Sequence, residues 1–104
     1  MEKKAEYKEL RVLFDSSLED ILVKELEKSK IVRYIIAPRL KVSWKENVKH
    51  LNTHVWPGED AILLVILEKD ECYKLVDNFL KLKEKLDYKT TFNISVSPLE
   101  YVDL

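Results

Sequence analysis

The chain has 104 residues, of which 46% are hydrophobic and 36% charged, and its 18 basic and 19 acidic residues give a net charge of −1. This length and hydrophobic content predict one folded domain over residues 1–104 and exclude a disordered chain. Because basic and acidic residues are interleaved, we expect no basic surface of the kind that binds nucleic acid.

Cysteine usage and hydropathy restrict the class of protein further. The single cysteine, Cys72, excludes an internal disulfide and any multi-cysteine metal site. The sequence starts Met-Glu-Lys-Lys and lacks the apolar core of a signal peptide. The longest apolar run has seven residues, whereas a helix needs roughly 20 to span a bilayer. We therefore expect a cytoplasmic protein that is not inserted in a membrane.

The first elements in chain order are a predicted strand and a predicted helix. Residues 9–14, with a start as early as Tyr7, carry β-forming side chains. Ser16 and Glu19 have the spacing of a capping box, which satisfies free backbone N–H groups where a helix begins. The helix is expected over residues 17–28, where an apolar stripe recurs at helical spacing: Leu18, Ile21, Leu22 and Leu26.

A second strand is predicted over residues 31–37, which are rich in β-branched side chains. Pro38 has no backbone N–H and is expected in an edge strand or a bulge. Apolar and polar residues then alternate through Leu40, Val42 and Trp44, which predicts a half-exposed continuation. A polar loop follows, from about residue 45 to residue 60.

The second half predicts a strand, a helix and a strand. Residues 61–67 are all apolar, which favours a central strand buried on both faces. The second helix, from about residue 70 to residue 85, has acids in its first turn and lysines in its last, as the helix dipole favours. Residues 91–97 alternate cleanly as a fourth strand, and Pro98 ends it.

The β-α-β-β-α-β order predicts an α+β, ferredoxin-like fold, with a four-stranded antiparallel sheet and two helices on one face. Right-handed crossovers give the strand order 4-1-3-2, which places strands two and four at the edges. An apolar edge such as strand two is prone to association, so we expect an oligomer that forms through these edges. The alternative is a monomer whose edge is protected by Arg33, Pro38, Arg39 and Lys41.

The candidate functional site is the predicted loop, because it concentrates the rare residue types. It contains both histidines, His50 and His54, as well as Trp56, Pro57 and the only glycine, Gly58. The two imidazoles predict a divalent-metal site only if Glu46, Glu59 or Asp60 completes it, or if several subunits each supply a histidine. Solvated histidines are the alternative. Trp56, like Trp44, either packs the loop onto the sheet or binds a planar ligand or a partner protein.

Basic residues lead into this loop, at positions Arg39, Lys41, Lys45 and Lys49. They have the chemistry to bind phosphate groups, although a solvated charged edge explains them equally well. Nothing in the sequence indicates an enzyme, since it lacks a Gly-rich phosphate loop and a Ser-centred catalytic motif. Cys72 lies on the apolar face of the second helix, where an inert packing role is expected.

Residues 53–60, Thr-His-Val-Trp-Pro-Gly-Glu-Asp with His50 ahead of them, resemble a signature of one branch of the PII-like signalling superfamily. The topology resembles that superfamily over nearly the whole chain. The resemblance implies a homotrimer whose loops contact a client protein or a membrane transporter. It also implies a site for an adenine nucleotide between subunits, near the base of the loop.

In PII proteins a glycine-rich turn before the last strand helps to hold the phosphates. The matching residues 86–91 contain no glycine, but Lys89 and the hydroxyl groups of Thr90 and Thr91 remain able to contact an anion. The CutA family shares the architecture, and this likeness keeps a divalent metal among the candidate ligands.

We therefore expect a non-catalytic, trimeric regulatory protein that senses a small ligand or binds a client protein through residues 45–60. The alternative is a CutA-like protein that binds a divalent metal through His50 and His54. The candidate ligand- or partner-binding residues are Arg39, Lys41, His50, His54, Trp56, Gly58, Glu59 and Lys89.

Overall fold

Seven elements make up the computed structural model, which describes residues 6–40, 42 and 59–104. They are β1 (Tyr7–Asp15), a 3-10 turn (Ser16–Leu18), α1 (Glu19–Lys28), β2 (Ile35–Leu40), β3 (Asp60–Glu68), α2 (Lys69–Lys85) and β4 (Phe92–Pro98). All strand pairs are antiparallel, in the order β2-β3-β1-β4, which is the predicted order read from the other edge. The predicted α+β ferredoxin-like fold is confirmed.

The core lies between one face of the sheet and the two helices. Alternation along β1 and β3 places every second side chain in this core, and the apolar stripes of the helices complete it. Phe79 of α2 meets Phe92 of β4 edge to face, with ring centroids 6.4 Å apart at an interplanar angle of 69°. The largest fully buried side chains are Leu10, Val12, Phe14, Leu22, Leu26, Leu63, Val65, Cys72, Leu75, Phe79 and Phe92.

The opposite face of the sheet, here called the outer face, is only half-buried. The prediction that the third strand is buried on both faces is wrong for the single chain, since Ile62, Leu64 and Ile66 are partly exposed there. Both helices pack on the other face, so nothing in the described part of the chain covers these three side chains fully. The apolar run therefore predicted the central position of this strand in the sheet correctly, but not the exposure of its outer face.

The start of the first helix differs from the predicted capping box. Asp15, not Ser16, is the capping residue, because its carboxylate accepts a hydrogen bond from the Ser17 backbone N–H at 2.9 Å. Residues 16–18 form a 3-10 turn, and α1 begins at Glu19. Aspartate caps a helix as well as serine does, so Asp15 is able to take the role that the capping-box spacing had assigned to Ser16.

The second strand begins at Ile35, four residues later than predicted. A Schellman motif ends α1, with Lys30 in the left-handed region at φ 60°. Its two hydrogen bonds run from the Lys30 N–H to the Glu27 carbonyl, at 3.0 Å, and from the Ile31 N–H to the Leu26 carbonyl, at 2.9 Å. The motif directs Ile31 against the core, and residues 31–34 connect it to β2.

Strand β2 contains the irregularity predicted for Pro38. Ala37 pairs with Ile62 but Leu40 pairs with Asp60, so the register shifts between them. Pro38 and Arg39 occupy the shift, and Arg39 has φ 60°. The edge strand tolerates both, as expected for a bulge. The strand ends at Leu40, so its predicted continuation to Val42 is wrong, and Trp44 lies outside the described residues.

Within residues 6–40 and 59–104, neither helix has the length and apolar character required to cross a bilayer.

Candidate functional site

One end of the sheet gathers the ends of all four strands. Asp15 closes β1 and pairs with Asp60, the first residue of β3, and Asp60 also pairs with Leu40 at the end of β2. The Asp15 N–H donates to the Thr91 carbonyl oxygen at 2.9 Å, just before β4 begins. The β2–β3 connection, residues 41–59, therefore leaves and re-enters the sheet at the same end as the α2–β4 connection, residues 86–91, with the end of β1 between them.

Glu59 is the last residue of the β2–β3 connection and is attached directly to the 3-10 turn that follows β1. Its carbonyl oxygen accepts a hydrogen bond from the Ser16 N–H at 2.9 Å, while the residue itself is exposed. The connection is thus anchored to the start of the 3-10 turn by the backbone, which leaves the Glu59 side chain available for a ligand or partner.

Asp60 is the perturbed acid of this sheet end. Burial raises the pKa of its carboxyl group above the ordinary 3.8, a hydrogen bond with Thr91 opposes the rise, and the Asp15 charge adds to it. The register explains the repulsion, since Asp15 and Asp60 lie directly opposite each other on paired strands.

A cleft of about 640 Å³ opens between the end of α2 and the start of β4. Lys83 is held at its edge by a cation–π contact, with Nζ 5.9 Å from the centre of the Phe92 ring. The residues that line the cleft are Lys83, Leu86, Asp87, Tyr88, Lys89, Thr90 and Phe92.

The chemistry of this cleft suits an anion that carries a planar group. Lys83 and Lys89 supply two ammonium charges against the one carboxylate of Asp87, and the Thr90 hydroxyl adds a donor. Tyr88 offers an exposed ring on which a flat ligand can stack. Among the described residues a positive φ occurs only at Lys30 and Arg39. Residues 86–91 therefore do not form the concave group of backbone N–H donors that binds anions and requires a left-handed residue. Side chains must therefore make most of the polar contacts.

Three of the predicted site residues are described, and all three lie at this sheet end. Arg39 is exposed in the bulge of β2, Glu59 is exposed beside β3, and Lys89 lines the cleft. The other predicted site residues lie outside the described residues: Lys41, His50, His54, Trp56 and Gly58.

The described part of the chain contains no group of three or more His, Cys, Asp or Glu side chains arranged to hold a metal ion. Both histidines are outside that part, so a metal site at His50 and His54 stays a prediction. Cys72 is fully buried in the core. Burial raises the pKa of its thiol, with partial opposition from the Lys8 charge, so the reactive thiolate is disfavoured.

Sequence reasoning missed Lys83 and Tyr88 of the cleft and the pairing of Asp15 with Asp60. Lys83 lies four residues after Phe79, so helical periodicity places both on the side of α2 that faces Phe92. The pairing of the two acids follows from the antiparallel pairing of the first and third strands, because Asp15 comes directly after the first predicted strand and Asp60 directly before the third.

No protein-family model matches the sequence, and no curated protein matches it. Several solved structures, however, have a similar fold. A protein of Thermus thermophilus described as a PII-like signalling protein is 20% identical, with a TM-score of 0.62, over 91% of this chain and 88% of that chain. CPII from Thiomonas intermedia, bound to ADP and bicarbonate, is 11% identical, with a TM-score of 0.62, over 92% and 90%.

The Bacillus subtilis GlnK–ATP complex is 11% identical, with a TM-score of 0.63, over 93% of this chain and 87% of that chain. At these identities the likeness concerns the fold, and the chain has the fold of the PII and PII-like nitrogen regulatory proteins, as the sequence resemblance predicted.

Proposed function

We propose that the chain is a non-catalytic regulatory protein of PII-like type, a single domain over residues 1–104. It binds a small anionic ligand in the α2–β4 cleft and signals through the β2–β3 connection. The observation that carries this proposal is the meeting of the two connections at one sheet end, where Asp15 binds Thr91 and Ser16 binds Glu59.

The ligand class that best fits the cleft is an adenine nucleotide. Lys83 and Lys89 match its phosphates, and Tyr88 matches its base or ribose. Solved structures of similar fold support this choice, since CPII was solved with ADP and bicarbonate and GlnK with ATP. Because residues 86–91 lack glycine, we expect recognition to depend on the two lysines more than on backbone amides.

We further propose a homotrimer that covers the outer face. Ile62, Leu64 and Ile66 lie half-exposed there, and Ile35 on the neighbouring strand is 61% exposed. A shallow groove of about 450 Å³ crosses this face. Its lining is mostly apolar, with the charged Glu9 and Arg33 among the residues Glu9, Val32, Arg33, Tyr34, Ile35, Leu64, Ile66 and Leu104. Exposed apolar surface of this kind favours self-association.

The mechanism follows from the hydrogen bonds at the sheet end. A ligand in the cleft orders residues 86–91, and the Asp15–Thr91 bond links that segment to the end of β1. The Ser16–Glu59 bond links the same point to the β2–β3 connection. Ligand binding thereby changes the affinity of residues 45–60 for a client protein or a membrane transporter.

Isothermal titration calorimetry with ADP, ATP and adenosine tests the ligand class. Since the two lysines recognise phosphate, we expect saturable binding of ADP or ATP and no binding of uncharged adenosine over the same concentration range. Equal binding of adenosine, or no binding of either nucleotide at millimolar concentration, would overturn the assignment.

A further inference from the structure

Residues 99–104, here called the strap, lead from the edge strand β4 back across the outer face of the sheet. At one end the Leu99 N–H donates to the Tyr7 carbonyl oxygen at 3.2 Å, which holds the start of the strap against β1. At the other end Leu104 lines the groove of the outer face together with Leu64 of β3. Because β1 lies between β4 and β3, the strap passes over β1 to reach this groove.

The outer face has a polar half and an apolar half, and the strap ends on the apolar one. On β1 the exposed Arg11 forms an ion pair with Glu9, with Nε 3.0 Å from the carboxylate oxygen. The neighbouring strand β4 adds exposed polar side chains at the paired positions: Asn93, Ser95 and Ser97. Strands β2 and β3 instead present apolar side chains: Ile35, Ile62, Leu64 and Ile66. The strap and a neighbouring subunit would therefore bury the same apolar surface.

The strap is held loosely enough to be displaced. It forms neither a helix nor a strand, and within the described part of the chain the bond donated by Leu99 is its only backbone–backbone hydrogen bond. Leu104 remains 60% exposed in the groove and Tyr101 is 82% exposed, whereas Leu99 and Val102 are half-buried. A segment with so few buried contacts opens at a low cost in free energy.

We propose that the strap and a second copy of the chain compete for the groove of the outer face. In a separate subunit the strap is docked, and Leu104 occupies part of the groove. In the assembly the neighbouring subunit covers the same apolar side chains and displaces the strap, so the strap sets the concentration at which subunits assemble. This inference rests on the proposed homotrimer, because that assembly is what buries the outer face.

Leu104→Ser removes the apolar contact between the strap and the groove without touching β2 or β3. Assembly should then begin at a protein concentration about fivefold lower, because a leucine that is 60% exposed stabilises the docked strap only severalfold. Sedimentation velocity over a dilution series measures the midpoint of assembly, with Tyr101→Ser as the matched control that should leave it unchanged. An unchanged midpoint in Leu104→Ser, or a higher one because the strap belongs to the interface, would overturn the proposal.

A disulfide between the strap and the groove tests the competition most sharply. In the double variant Ile35→Cys, Leu104→Cys, oxidised glutathione should form the bond within one chain, because both positions line the groove. Cys72 is fully buried and does not compete for it. The locked protein should have the mass of one chain, 12.3 kDa, and reduction should restore three times that mass. In the matched control, Ile35→Cys with Tyr101→Cys, the exposed strap position does not line the groove and should form no disulfide.

The outcomes separate the strap from the assembly on which it acts. A double variant that forms no disulfide, or forms it between chains, would overturn the docked strap, and a locked protein that is still trimeric would overturn the competition. A wild type and a reduced double variant that are both monomeric would overturn the homotrimer and the competition together, even where the disulfide forms within one chain.

Discussion

The backbone N–H of Asp15 donates to the carbonyl oxygen of Thr91 at 2.9 Å, which fastens the end of β1 to the segment that precedes β4. The next residue, Ser16, begins the 3-10 turn, and its backbone N–H donates to the carbonyl oxygen of Glu59. The cleft at the end of α2 and the β2–β3 connection are therefore attached to consecutive residues. A rigid attachment of this kind is what a regulatory protein needs if a bound ligand is to change a distant surface.

The charges of Lys83 and Lys89 should determine affinity for nucleotides. Replacing either with glutamine removes one ammonium group from the cleft but keeps most of the side-chain length. We expect each variant to bind ADP about fivefold to tenfold more weakly, or about 1–1.4 kcal/mol, because the exposed lysines contribute more than a surface ion pair and less than a buried charged hydrogen bond. Calorimetry measures this loss. The matched control is Lys81→Gln, on the same helix but outside the cleft lining, and equal losses in all three variants would contradict the assignment.

Phe92 should be essential for the stability of the cleft wall. Its side chain is 1% exposed, and it contacts the Phe79 ring and the Lys83 ammonium group. Phe92→Ala should lower the free energy of unfolding by about 3–5 kcal/mol, as is usual for a buried phenylalanine. Urea unfolding gives the value, with Phe92→Leu as a control that retains most of the volume. A loss below about 1 kcal/mol would show that the wall does not depend on this ring.

Lys30 offers a stabilising substitution that leaves the candidate site unchanged. Because it occupies the left-handed position of the Schellman motif at φ 60°, a side chain there carries a steric cost that glycine avoids. Lys30→Gly should therefore raise stability by about 0.5–1 kcal/mol. The paired control, Lys28→Gly, lies within α1 and should lower stability by a similar amount. Thermal melting that ranks the two variants in the opposite order would contradict this account of the helix end.

The outer face should carry the subunit interface. Leu64→Glu places a charge among the half-exposed apolar side chains of β3, whereas Leu80→Glu adds the same charge to α2, where the leucine is already 44% exposed. Light scattering coupled to size exclusion should give three times 12.3 kDa for the wild type and for Leu80→Glu, and about one chain mass for Leu64→Glu. A wild-type monomer, or a trimer that survives in Leu64→Glu, would contradict the proposed interface.

The order and orientation of the helices and strands were predictable because the apolar periodicity of each segment fits either a helix or a strand, but not both. The apolar stripe of α1, for example, leaves only one face for the core, and the buried Leu22 and Leu26 lie on it. Boundaries were less predictable where two residues compete for one role. Asp15 and Ser16 are both good caps, and a lysine in place of a glycine concealed the Schellman motif at Lys30.

The candidate site was predictable only in part, because it depends on pairing between distant segments. Lys89 was identified through the resemblance to PII proteins, whose phosphate-binding turn precedes the last strand, but the role of Lys83 requires knowing that α2 ends over Phe92. The opposition of Asp15 and Asp60 likewise follows from the register of β1 on β3. The histidines and Trp56 of the candidate site lie outside the described residues, whereas Glu59, also predicted from the sequence, lies at the sheet end.

Hydrogen–deuterium exchange with and without saturating ADP tests the central claim most directly, since it reports the cleft and the β2–β3 connection in one experiment. We predict slower exchange in two separate segments, residues 86–91 and residues 41–59, with little change in the middle of β1 and β3. Lys89→Gln should weaken both effects together. Binding of ADP without slower exchange at residues 86–91, or protection confined to that segment, would contradict the account.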